Sequence, residues 1–239
     1  MGVAVSYTVA SNGVVSLDGR ALVLPAASAK TFLAIVDALR PIVDANSART
    51  GVPASWIYGI IWTETGFLGP KGGERAISPP DKDGTSAYGR MQLKPFWFSK
   101  AGTGIGDGVA HSNEEMLHDA LNIRFGSDLL ALIYKDGNDF VQASSIYNCG
   151  SESSKHPWRP HSAPPHEGRA AWGVCGNVAG DGLSYQDHAV AASNTFLLGG
   201  KAPSVGQTVS PPQWSFLSAA GASVATYFVV SYALKGLRS

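Results

Sequence analysis

The chain is poor in charge and in cysteine. Charged residues make up 15% of its 239 positions, well under the roughly 25% of ordinary soluble domains. Eighteen basic side chains balance eighteen acidic ones, which leaves no basic footprint for a nucleic acid and no acidic tail. Two cysteines are too few for a disulfide scaffold or a four-cysteine zinc site. Glycine and proline, at 28 and 14, fall short of a collagen-like or low-complexity chain. Met1–Ala10 has neither the basic start nor the apolar run of a signal peptide. The length suits one medium domain with attachments, able to bury a core without staples.

Residues 3–24 alternate loosely around Ser11-Asn12-Gly13 and Asp18-Gly19, the pattern of one or two short hairpins. Phe32, Ile35, Val36 and Leu39 at helical spacing predict a helix ending at Leu39 or Arg40, before Pro41, with a further turn through Ile42–Ala45 left open. Val52-Pro53 starts another, with Trp56, Ile57, Ile60 and Ile61 as its stripe, Glu64 one turn on and Gly66 as the stop. Ser112 is the expected cap of a long helix carrying Leu121, Phe125, Leu129, Leu132 and Ile133. Phe140–Tyr147 and Tyr185–Leu198 predict two more helices, with a long loop over 149–183. The domain division is a β element at 1–25, a catalytic domain at 26–198, a proline-containing linker at 199–213 and a hydrophobic helix at 214–239. Ser215–Leu234 runs twenty residues without a charge, which fits a membrane-spanning helix with Lys235 and Arg238 on the cytoplasmic side. Its Ser, Gly, Ala and Thr also fit a buried helix.

Glu64 is the unusual residue. A carboxylate on an apolar helix face is costly to leave dry. Either it has a partner such as Arg75 or Arg90, or its turn points to solvent, or it is a carboxylic acid of raised pKa suited to general acid work.

Four short motifs follow in order: Glu64-Thr65-Gly66, Gly89-Arg90-Met91-Gln92-Leu93, Asn122-Ile123-Arg124-Phe125-Gly126 and Tyr147-Asn148-Cys149-Gly150. Together, across residues 52–150, they resemble the soluble lytic transglycosylase family of peptidoglycan-cleaving enzymes. The resemblance implies a mainly α, lysozyme-like fold and a lytic transglycosylase that uses Glu64 as its catalytic acid and needs no cofactor or metal. Its substrate-binding residues would be Tyr88, Gly89, Met91, Gln92, Tyr147 and Asn148. Tyr147 would orient Glu64, Gln92 and Asn148 would offer amides, and Met91 an adaptable apolar wall. Gly89 and Gly126 also read as backbone necessities, a tight turn and a close helix approach. Thr65, Arg90 and Cys149 depart from the commoner serine, apolar and small residues of the family.

The implied partner is the peptidoglycan glycan strand, with the membrane reached through the C-terminal helix and no nucleic acid. The implied setting is a bacteriophage virion, alongside other virion proteins, acting on the periplasmic side of the host envelope. The alternatives are a hydrolytic lysozyme, with Asp81 or Asp83 as second carboxylate or merely an exposed turn, and a non-enzymatic glycan-binding or structural virion protein. His156, His161 and His166 lack paired metal spacing. Cys149 and Cys175 are open to a disulfide in an oxidising space, and Trp158 and Trp172 to sugar stacking or to anchoring of their loop.

Overall fold

The structure is a computed structural model that describes residues 7–17, 19–67, 73–81, 83–135, 140–149, 159–160, 170–171 and 185–200. The expected membrane helix Ser215–Leu234, the three loop histidines, Trp158, Trp172 and Cys175 lie outside these residues. Among the described residues no helix is long and apolar enough to cross a membrane.

The N-terminal segment forms two hairpins. Strands β1 (Tyr7–Val9), β2 (Val15–Leu17) and β3 (Arg20–Ala21) pair antiparallel in that order, Val9 opposite Val15 and Leu17 opposite Arg20. The expected turns at Asn12-Gly13 and Gly19 are where the chain reverses, and both glycines have positive φ.

Helix α1 (Ala26–Thr50) buries Phe32, Val36, Leu39, Val43 and Asn46 along one stripe. The expected stop before Pro41 does not occur. Pro41 falls on the exposed face, so the Asp37 carbonyl that loses its donor can turn to water while the buried stripe continues. The helix ends instead at Gly51, left-handed at φ 78°, whose N–H donates to Ser47 O. Helix α2 (Ala54–Ile61) follows, with Ile57, Tyr58, Ile60 and Ile61 fully buried.

A one-turn helix, α3 (Pro95–Phe98), precedes a Gly-rich stretch. Ser112 caps as expected, but the box it makes with Glu115 closes a 3₁₀ turn at Glu115–Leu117. The long helix α4 (Asp119–Lys135) begins only after that turn. Then come α5 (Phe140–Cys149), the short strands β4 (Arg159–Pro160) and β5 (Ala170–Ala171), and α6 (Tyr185–Leu197).

Helix α6 is the axis of the domain. Every residue from Tyr185 to Thr195 is buried, as expected of a helix surrounded on all sides. It meets α2 at Gly59, where a Cβ would stand 2.6 Å from the Phe140 ring and 2.7 Å from Ala189 O. Its far end holds the N-terminal sheet. Asn194 accepts from Val15 N–H at 2.9 Å and donates to Val15 O and Leu22 O, and Thr195 accepts from Leu24 N–H. Val15 and Leu24 therefore join the main hydrophobic cluster, and the β element shares one core with the helices.

A second, smaller cluster gathers Leu93, Phe98, Ile105, Met116 and Phe125. Leu129 of α4 packs against both. The architecture is mainly α and lysozyme-like.

Candidate active site

Glu64 does not sit on an α-helix. After Ile61 the chain widens into a π-helical turn, Trp62–Phe67, a form found mostly as single turns at functional sites. Two threonines line it: Thr63 Oγ1 donates to Gly59 O at 2.8 Å, and Thr65 Oγ1 to Ile61 O at 3.0 Å and Arg90 O at 3.3 Å. Gly66 is no stop. A Cβ there would lie 2.4 Å from the Trp62 ring, so glycine lets the indole lie against the backbone and fix the turn.

The Gly89–Gln92 segment is a four-residue hairpin loop. Tyr88 and Leu93 exchange both backbone hydrogen bonds, and the loop has left-handed residues at each end, Gly89 at φ 71° and Gln92 at φ 46°. Holding a non-glycine there costs about 1 kcal/mol. The Gln92 amide offsets this by donating to Gly89 O at 2.7 Å and Ala76 O at 3.2 Å. Gly89 is required twice over, since a Cβ would also strike Asn122 Nδ2 at 2.4 Å and Met116 O at 2.7 Å.

Asn122, fully buried on α4, ties the loop down. Its Oδ1 accepts from Met91 N–H at 2.7 Å, and its Nδ2 donates to Tyr88 O and Met116 O. Asn122→Ala strands the Met91 N–H and the Met116 carbonyl and leaves the Tyr88 carbonyl only its bond from Leu93. A loss of about 2–4 kcal/mol is expected in urea unfolding, and Asn122→Asp, which turns its donors into acceptors facing two carbonyls, should be no better.

Around Glu64 the three sequence readings separate. Arg75 pairs with Glu114 at 2.6 Å, and Arg90 Nε with Asp119 at 2.8 Å. Neither guanidinium reaches Glu64. The only partner of the carboxylate among the described residues is Tyr185, whose hydroxyl donates to Oε1 at 2.7 Å. Burial pushes the Glu64 carboxyl up to about 7, against a smaller downward pull from the Tyr185 hydrogen bond. The Tyr147 and Tyr185 phenols are driven well above their usual range by burial and then by the Glu64 charge, so both remain proton donors at neutral pH.

Glu64 opens onto a cleft of about 390 Å³ between the two core clusters, also lined by Ser78, Pro79, Ala87, Gln92, Leu93, Lys94, Trp97, Leu129, Tyr147 and Asn148. Of the expected site residues, Glu64, Gln92, Tyr147 and Asn148 meet there. Tyr88, Gly89 and Met91 stand behind its wall. Tyr88 accepts at its hydroxyl from Asn113 and packs edge-on to Phe98. Met91 is fully buried with its sulfur against Gly126, so it is core and not an adaptable wall; Gly126 provides the expected close approach. Tyr147 donates to Met91 O at 2.8 Å and bridges α5 to the hairpin loop. The hydrogen bond to Glu64 expected of Tyr147 is made by Tyr185. With its amide nitrogen committed, Gln92 has only its Oε1 without a partner among the described residues.

Asp81 and Asp83 stay outside the cleft. Lys94 binds the Asp81 carboxylate and donates to Thr85 O and Thr85 Oγ1 at 2.9 Å, with Asp83 at 3.8 Å. They form the exposed turn of the alternative reading, and Lys94 clamps that turn to the lip of the cleft.

A cleft with one half-buried, protonatable carboxylic acid and amide and aromatic walls is the build of a lysozyme-like domain. The sequence model of the transglycosylase SLT domain matches residues 41–163, half of the chain, and the protein belongs to that family, whose members are lytic transglycosylases acting on peptidoglycan. The matched stretch holds all four motifs but stops short of Tyr185. No curated protein sequence matches the chain closely enough to serve as a relative.

Proposed function

We propose that the protein cleaves the β-1,4 bond between N-acetylmuramic acid and N-acetylglucosamine and leaves a 1,6-anhydro-muramic end. Glu64, protonated in its half-buried position, gives its proton to the glycosidic oxygen as the bond to C1 breaks. The resulting carboxylate then takes the proton of the muramic C6 hydroxyl, whose oxygen closes onto C1. The acid is regenerated, no water is consumed, and the nucleophile is intramolecular, with the high effective molarity this brings. Tyr185 holds the carboxyl in place through both steps.

The observation that carries this reading is the solitary carboxyl of the cleft. Hydrolysis by the usual two-carboxylate routes needs a second acid to hold water or form a covalent intermediate. Among the described lining residues Glu64 is the only acid, and Asp81 and Asp83 are engaged by Lys94.

Residues 1–213 are proposed to work on the periplasmic side of the envelope, where peptidoglycan lies, with Ser215–Leu234 as a membrane anchor and the 199–213 linker as a tether. Delivery by a virion is part of the same proposal. One experiment addresses activity and anchoring together. The full chain should clear a suspension of purified peptidoglycan and sediment with membranes, whereas a chain ending at Gln213 should clear it equally well and stay in the supernatant. Loss of the thermal transition on truncation would instead make the segment a core helix.

A further inference from the structure

The hairpin loop runs directly into three successive aromatics, and they take three different environments. Phe98 is fully buried, Phe96 is 40% exposed, and Trp97 lines the cleft. Pro95 opens the single turn of α3 and fixes its start. The Trp97 amide donates to Lys94 O at 3.0 Å, and its carbonyl accepts from Thr103 Oγ1 at 2.8 Å. Phe96 meets the indole edge-on at 5.1 Å and 78°. Anchoring of α3 in the smaller core is already supplied by Phe98. The indole N–H of Trp97 donates to no acceptor among the described residues.

With Pro79, Ala87, Leu93 and Leu129, Trp97 makes the apolar share of the cleft lining, while Glu64, Gln92 and Asn148 make much of the polar share. A pyranose ring divides in the same way, into a C–H face and a polar edge. We infer that Trp97 is a sugar-stacking residue of the cleft: its pre-set indole face takes the C–H face of one N-acetylated pyranose, and its free N–H donates to a substituent of that ring. This rests on the peptidoglycan reading above and names a determinant of glycan affinity within the same site.

The test separates affinity from chemistry and from folding. Trp97→Leu keeps apolar bulk but loses the aromatic face; Trp97→Phe keeps a face but loses the N–H. On purified peptidoglycan, Trp97→Leu is expected to raise KM about tenfold with kcat little changed, and Trp97→Phe to raise it only about threefold. Unchanged thermal transitions should accompany both. A KM within twofold of wild type for Trp97→Leu, or a drop in stability and kcat at constant KM, overturns the inference. If Trp97→Leu does not fold, the indole N–H resonance of Trp97 decides. It is assigned in the Glu64→Gln chain by its loss on adding Trp97→Phe, and it should move when the β-1,4-linked tetramer of N-acetylglucosamine is added. A resonance that stays in place overturns the inference equally. Failure of the wild-type chain to cleave peptidoglycan would count against the proposed function, and the titration would still judge Trp97.

Discussion

Glu64→Gln should abolish peptidoglycan cleavage, by at least the roughly 10²–10⁴-fold of lost general acid catalysis, while the protein becomes more stable at alkaline pH. The amide has the shape of the acid and still accepts the Tyr185 hydrogen bond, but it has no proton to give. The stability gain follows from the raised carboxyl. Between pH 4.5 and about 7 the unfolded chain ionises Glu64 while the native protein resists, so native stability from this group is intact below 4.5 and is lost as pH rises to 7. The full shift corresponds to about 3 kcal/mol, and water entering through the cleft should bring the observed value to about 1–3 kcal/mol. Urea unfolding at pH 8 should therefore favour Glu64→Gln over wild type, with the two converging near pH 4.5. A folded variant that clears peptidoglycan at near wild-type rate removes Glu64 from the chemistry.

Tyr185→Phe should have the second-largest effect, and its signature is a pH profile. The hydroxyl stabilises the ionised carboxylate, so deleting it leaves burial unopposed and lifts the Glu64 pKa above 7. The alkaline limb of kcat/KM should move to higher pH, while the rate at neutral pH falls by about 10- to 100-fold as the carboxyl loses its fixed direction. A limb that stays put or moves to lower pH would mean that Tyr185 does not govern Glu64.

Two of the four motifs were legible because they meet a backbone need: a turn that only Gly89 can make, and in Asn122–Gly126 a helix face that only Gly126 leaves open beside a buried Asn122 that satisfies three groups. The order of helices was legible from the spacing of Phe32, Ile57, Leu129 and their neighbours. What the pattern hid was set by tertiary context. Pro41 ends a helix in isolation, yet on an exposed face it leaves the buried stripe free to continue. The π-turn carries no periodicity of its own, so Gly66 passed for a stop. Met91, between Arg90 and Gln92, looked like a residue of the cleft because nothing local shows that the loop folds it inward against Gly126.

Tyr185 was hidden by distance. It starts a helix whose polar residues, Gln186, Asp187, Ser193 and Asn194, give the sequence of a surface element, although α6 is buried from Tyr185 to Thr195. Its only sequence signal was an aromatic at a helix start beyond the last motif. Trp97 carries no local signal: nothing in Phe96-Trp97-Phe98 tells the three rings apart, and only the one-turn helix distributes them between solvent, cleft and interior.

Mass spectrometry of the fragments released from purified peptidoglycan tests the mechanism most directly. A solitary Glu64 that acts first as acid and then as base predicts muramic ends in the 1,6-anhydro form, lighter by one water than hydrolysed ends and resistant to borohydride reduction. Fragments that carry only reducible muramic ends would contradict it, since water would then have to be the nucleophile and a second group would have to hold it.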